Sequence, residues 1–190
     1  MTATKGRDSP RPAFQAAGDT DPATRKAFFD AIRKGDLEAV AETLARSPAA
    51  VFWQEPFKPE DKPFAADNTP LMTAAEYRKD AIGCLLIDHG AAATMDRQNS
   101  RGWTALMFAC WHGAQNTAEK LLWAGAHTQL RNESGQDAAT LAHLRNHTQL
   151  RRIIEQHRQK KEGAAAFQTG TAKALPVMPK IRLKNNPRPD

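Results

Sequence analysis

Cysteine is scarce in this chain, with two in 190 residues. Cys84 and Cys110 both fall inside apolar stretches of helical pattern, and neither has partners at metal-ligand spacing. A disulfide framework needs more thiols and an oxidising compartment, so both are expected as small buried hydrophobes in a reduced cytosol. Long apolar runs are missing too. None approaches the roughly 20 residues that a membrane-spanning helix requires, and Met1–Asp8 has no apolar run behind it of the kind a signal peptide carries. A cytoplasmic location is therefore expected. There is no Gly-rich phosphate loop, His-Glu-x-x-His, nucleophile elbow or paired-cysteine zinc motif. No catalytic residue, cofactor or metal is expected, and the chain reads as a non-enzyme.

The formal net charge is +6. Residues 158–190 alone carry eight Lys or Arg against two acids, and residues 1–22 hold three of each sign, so residues 23–157 are neutral. The basic character belongs to the tail. A neutral middle argues against a nucleic-acid-binding core, because phosphate neutralisation needs clustered cations.

What is present is repetition. Asn68-Thr69-Pro70-Leu71-Met72-Thr73-Ala74-Ala75 returns thirty-five residues later as Trp103-Thr104-Ala105-Leu106-Met107-Phe108-Ala109-Cys110. Leu86-Ile87-Asp88-His89-Gly90-Ala91 returns as Leu121-Leu122-Trp123-Ala124-Gly125-Ala126. A period of this size marks a stacked repeat protein. Within one unit, Thr69 or Thr104 can cap a first helix, and Pro70 suits its first turn. Small residues give that helix a closely packing face. Gly113 can end it, and a second helix carries Leu121 and Leu122 inward to Gly125. Each buried leucine stabilises by roughly 1.5–3 kcal/mol, too little for one helix pair to fold alone, so the units must stack.

These residues closely resemble the ankyrin repeat. The family's Thr-Pro-Leu-His-x-Ala-Ala opening appears as Thr69 through Ala75, with Met72 in place of histidine. Its Gly-Ala ending appears at Gly90-Ala91 and Gly125-Ala126, and its hairpin as Asn99-Ser100-Arg101-Gly102-Trp103-Thr104. From these anchors, Gly135 falls thirty-three residues after Gly102, and 132–157 reads as a capping unit. Upstream, Phe28 to Val40 and Leu44 form a degenerate first unit, with Gly35 matching Gly113. The expectation is an all-α ankyrin-repeat solenoid of about four helix-turn-helix units with hairpin loops. The units cover 23–47, 67–98, 99–131 and 132–157, between a disordered tail 1–22 and a basic disordered tail 158–190.

Two departures stand out. Gly35 to its counterpart Arg78 spans forty-three residues, ten beyond the family period of about 33. The excess lies in an insertion, 48–66, where Pro48, Pro56, Pro59 and Pro63 alternate with Phe52, Trp53, Phe57 and Phe64. Proline forbids a regular helix there, which predicts a long irregular finger, with Phe52 and Phe64 as a lid over the first unit. Trp53 and Phe57 are left as candidates for a partner. Between Gly90 and Gly102 two extra residues enlarge the next hairpin.

The resemblance implies non-enzymatic recognition of a partner protein on a concave face of hairpin tips and first helices. Mapped here, that face takes Arg33, Lys34, Glu76 and Tyr77, then Ser100, Arg101, Trp103, Trp111 and His112, and finally Gln136, Leu144 and Arg145. The predicted partner-binding residues are Tyr77, Glu76, Arg101, Trp103, Trp111, His112 and Arg145, with Trp53 and Phe57 from the insertion. Trp, Tyr and Arg are the types enriched at interface hot spots. Trp123 maps to the outer end of a second helix and is left out. Cys110 and His112 could form a thiol–imidazole pair only if they converged, and the register turns Cys110 to the core. Alternatives are a regulatory or inhibitory subunit of a specific enzyme, or an adaptor whose basic tail touches nucleic acid or anionic membrane. In the tail, 175–183 interleaves apolar and basic residues around Pro176 and Pro179, which suits a short docking motif. A monomer is expected.

Overall fold

A computed structural model describes residues 21–55 and 67–168. Eight α-helices and no strands occur among the described residues. They are α1 (Pro22–Lys34), α2 (Leu37–Arg46), α3 (Pro70–Glu76), α4 (Asp80–Asp88), α5 (Ala105–His112), α6 (Gln115–Trp123), α7 (Ala138–Leu144) and α8 (Thr148–Gln168). The odd-numbered helices pack in sequence as one row, α1 on α3, α3 on α5 and α5 on α7; α2, α4, α6 and α8 form a second row behind them. This is the all-α ankyrin solenoid that the repeat pattern predicts.

Local chemistry starts the first helix of the second, third and fourth units. Thr69 Oγ1 accepts from Met72 N at 3.2 Å, and Thr104 Oγ1 accepts from Met107 N at 3.2 Å. Asp137 Oδ1 does the same for Thr140 N at 2.8 Å. Each bond satisfies an N–H that the helix itself leaves unpaired. Met72, standing at the histidine position of the motif, places its Sδ 3.4 Å from Thr69 N. Behind these caps Leu71, Met72, Leu106, Met107 and Phe108 are fully buried.

The turn from first to second helix needs one left-handed residue. Gly35 (φ 88) and Gly113 (φ 76) supply it in the first and third units, while Arg78 (φ 55) and Asn146 (φ 60) supply it in the second and fourth. Glycine adopts that backbone freely, whereas a residue with a Cβ does so at a cost.

Neighbouring units exchange side chains. The start of α6 falls on Ala114, which has no capping group. Asp80 of the preceding unit takes over: its Oδ1 accepts from Thr117 N at 3.1 Å and from Thr117 Oγ1 at 2.6 Å. Beside it Gly83 lets the helices close, since a methyl group there would stand 2.6 Å from Thr117 Oγ1. Along the hairpins, buried Asn99 donates through Nδ2 to Asn68 Oδ1 at 2.8 Å, and Asn68 donates to Glu76 Oε2 at 3.2 Å.

Three expectations are corrected. Residues 48–55 are not an irregular finger. Pro48–Phe52 forms a 3-10 helix, and Ala50, Val51 and Trp53 are buried behind it. The two extra residues before Gly102 are absorbed by a 3-10 turn at Ala91–Thr94. The boundary expected at 157 falls inside α8, which continues to Gln168. Arg158 fixes this extension by donating to Thr128 Oγ1 (3.0 Å), Thr128 O (2.5 Å) and Asp137 Oδ2 (2.9 Å). The expectations for Phe57, Phe64, the N-terminal tail and the 175–183 motif lie outside the described residues.

Candidate functional surface

The face built by the first helices and hairpins gathers most of the expected residues. Asn99 shapes the hairpin of the third unit: its Oδ1 accepts from Arg101 N at 3.0 Å and from Trp103 N at 2.9 Å. The next hairpin repeats this with Asn132 Oδ1 and Gln136 N at 2.9 Å, and Glu133 N donates to Arg101 O at 3.1 Å. The paired hairpins leave a cavity of about 230 Å³ lined by Arg101, Trp103, Trp111, Glu133, Ser134 and Gln136.

Trp111 forms one wall of this cavity and is half-buried. Its ring meets Trp103 edge-on at 5.9 Å between centroids. The Arg145 guanidinium lies over Trp111, with its carbon 4.4 Å from the ring centroid, a cation–π arrangement. His112 stacks on Phe108 at 6.4 Å. Burial, then Arg145, Arg78 and His147, push its pKa down. In the second unit Tyr77 is 40% exposed, and in the fourth Leu144 is 55% exposed.

Not every expected residue is available. Trp103 is only 8% exposed and packs on Phe108 at 5.0 Å, so it is a core residue whose edge reaches the cavity. Trp53 is buried against Phe28 at 5.3 Å, edge to face, and closes the first unit rather than facing outward. Arg33 is committed internally to Asp30 and to buried Glu55, whose Oε2 also accepts from Thr73 Oγ1. Glu76 is half-buried and tied to Asn68. Tyr77, Trp111, His112, Leu144 and Arg145 remain on the surface, with Lys34, Ser100, Arg101 and Gln136 along its edges.

Sequence reasoning passed over Arg78. It was recognisable as an arginine standing where the first and third units have glycine, and the structure exposes it beside Tyr77. Trp123, at the end of α6 in the other helix row, is 84% exposed.

Cys110 does not pair with His112 for chemistry. It is fully buried, and burial first, then Asp137, pushes its thiol up to about 12, against the opposing pull of Arg158. The thiolate nucleophile is therefore not formed near neutral pH. Among the described residues no group of three or more His, Cys, Asp or Glu is placed to hold a metal. No helix among them is long and apolar enough to cross a membrane.

The comparisons agree with this architecture. The family model described as ankyrin repeats (three copies) matches residues 28–132. The mouse ankyrin repeat and SAM domain-containing protein 6 is 40% identical over 133 residues, which is 68% of this chain and 14% of that protein. Its rat counterpart is 32% identical over the same proportions. This chain thus spans about a seventh of the length of these relatives. Among solved structures, a chain in the crystal structure of the yeast ribosomal protein Rps3 in complex with its chaperone Yar1 has a TM-score of 0.59 at 20% identity. That match covers 70% of this chain and 91% of the other. With its stacked helix pairs, left-handed turns and linked hairpins, the chain belongs to the ankyrin-repeat family.

Proposed function

We propose that this chain is a non-enzymatic recognition module that binds a partner protein on the concave face of its first helices and hairpins. Ankyrin repeats generally mediate protein–protein interaction, and they do so through surface residues that the fold does not fix. One observation carries the reading: successive units present Tyr77, then Trp111 under Arg145, then Leu144, within two positions of the left-handed turn that follows each first helix. Exposed aromatic and apolar groups aligned across units are the kind of patch that monomers rarely leave uncovered. Arginine over tryptophan combines two types enriched at interface hot spots.

Site-specific photocrosslinking tests this. A benzoylphenylalanine placed at Tyr77 or at Leu144 of the full chain should crosslink a partner protein in extract of the source cells. The same group at Trp123, in the opposite helix row, should not. Crosslinks that form only at Trp123 would move the interface to the outer helices and overturn the assignment. The rival reading, an adaptor driven by the basic tail, is separated by removing residues 169–190. Loss of crosslinking at Tyr77 on that deletion would favour it.

A further inference from the structure

The face just described carries a charge pattern that the neutral composition of residues 23–157 conceals. Each unit places a basic residue at or just past the end of its first helix: Lys34, His112 and Arg145 stand one position before the left-handed turn, and Arg78 occupies it. Lys34, Arg78 and Arg145 are exposed, and none pairs with a carboxylate among the described residues. Acids elsewhere do find partners, as Asp88 does with Lys120 at 2.5 Å and Asp137 with Arg158 at 2.9 Å. On this face, Lys34, Arg78 and Arg145 are left without such a partner among the described residues.

Helix-end electrostatics explains part of this row, because cations suit a helix C-terminus. It does not explain Arg78. That residue occupies a left-handed turn (φ 55) where the first and third units place glycine. A glycine there would close the helix equally well without the Cβ clash. A residue kept in a costly backbone conformation points to a use for its side chain. Arg145 is also preorganised. Its guanidinium rests on the Trp111 ring, and Nε lies 3.4 Å from Trp111 O. The two terminal nitrogens have no partner among the described residues, which leaves a fork of the shape that receives a carboxylate in two hydrogen bonds. Tyr77, Trp111 and Leu144 lie next to Arg78, His112 and Arg145 in the chain, so apolar and basic groups alternate along the row.

Resting on the recognition reading above, we propose that the partner presents an acidic segment with interspersed apolar side chains. Its carboxylates would meet Arg78 and Arg145, and its apolar groups Tyr77, Leu144 and the cavity beside Trp111. Nucleic acid fits this surface less well. Single strands need open aromatic faces for base stacking; here Arg145 covers the outer face of Trp111 and Trp103 is buried. Three unpaired cations are also few for tracking a phosphate backbone.

The test is selection from a random-peptide phage library panned on the full chain, followed by anisotropy with the enriched peptides. The expected peptides carry net negative charge and at least one aromatic or branched apolar residue. Their binding should weaken as salt rises through about 0.15 M. Lys34→Glu with Arg78→Glu and Arg145→Glu should weaken binding by about tenfold or more. Because Arg145→Glu also removes the contact with Trp111, Arg78→Gly is the second variant: it should keep or raise the melting temperature while weakening acidic peptides. Neutral or basic peptides, no enrichment, or unchanged affinity in Arg78→Gly would each overturn the proposal. So would a labelled single-stranded oligonucleotide that binds more tightly than the best peptide. Crosslinking at Tyr77 that persists with a non-acidic partner would sink the acidic chemistry alone and leave the recognition face standing.

Discussion

Two tryptophans that touch each other have opposite duties. Trp103 is buried on Phe108, whereas Trp111 is half-buried beneath Arg145. Trp103→Ala should therefore destabilise the fold by about 3–5 kcal/mol, the usual cost of emptying a large aromatic site. Trp111→Ala should cost about 1 kcal/mol, mainly the contact with Arg145. Urea unfolding of the two variants measures the difference; equal losses would mean that Trp111 is core as well. The sequence pattern puts both in the recognition group, because a hairpin-tip position does not reveal how far the following helix draws its side chain inward. His112 supplies a second expectation. Burial and three basic neighbours hold its pKa below its ordinary 6.5. Below that pH the unfolded chain takes up a proton that the folded chain resists, so stability declines as pH falls. His157, pushed down by burial and then Lys161, works in the same direction. The melting temperature should drop from about pH 7 to about pH 5, where histidines titrate, and His112→Gln should flatten part of that slope. A slope unchanged in His112→Gln would show that the proton goes elsewhere.

At the scale of elements, the contact between α4 and α6 depends on one missing methyl. Glycine inside a helix ordinarily costs about 1 kcal/mol relative to alanine, so Gly83→Ala on an isolated helix would stabilise. Here the added carbon would meet Thr117 Oγ1 at 2.6 Å, and that hydroxyl is held by Asp80. Overpacking of this kind costs about 1–3 kcal/mol, so Gly83→Ala should lower the melting temperature, and a rise would show that α6 can shift freely. The helix starts, by contrast, were legible beforehand. Thr69 and Thr104 announce their caps because the capping bond is local in sequence. Asp80 gives no such signal, since the N–H it accepts lies thirty-seven positions away. The 3-10 return at Pro48–Phe52 was hidden for a related reason. Proline excludes an α-helix but says nothing about whether Trp53 will find Phe28.

For the whole molecule, the array is closed at its C-terminal end by α8. A charged stretch after 157 suggests a free tail, yet Arg158 reaches back to Thr128 and Asp137, and Lys161 donates to Gly125 O at 3.1 Å. Hydrogen bonds to charged groups contribute about 1.5–3 kcal/mol each when they are shielded. A chain ending at 157 should therefore melt measurably lower than one ending at 168, by about 2 kcal/mol or more in unfolding free energy. Equal stability would return 158–168 to the tail. The repeat itself was readable because ankyrin motifs are specific, while the charged face was not, since its cations, Lys34, Arg78 and Arg145, come from three units and cancel in the composition. The cap that Asp80 lends to α6 has a consequence for how such an array can change over generations. Residues 99–131 form a unit by sequence, but copied elsewhere or joined to another neighbour they would arrive with the start of α6 open. Duplication, deletion or shuffling of this unit is thus constrained by grammar as well as by shape: it must follow one that can finish it.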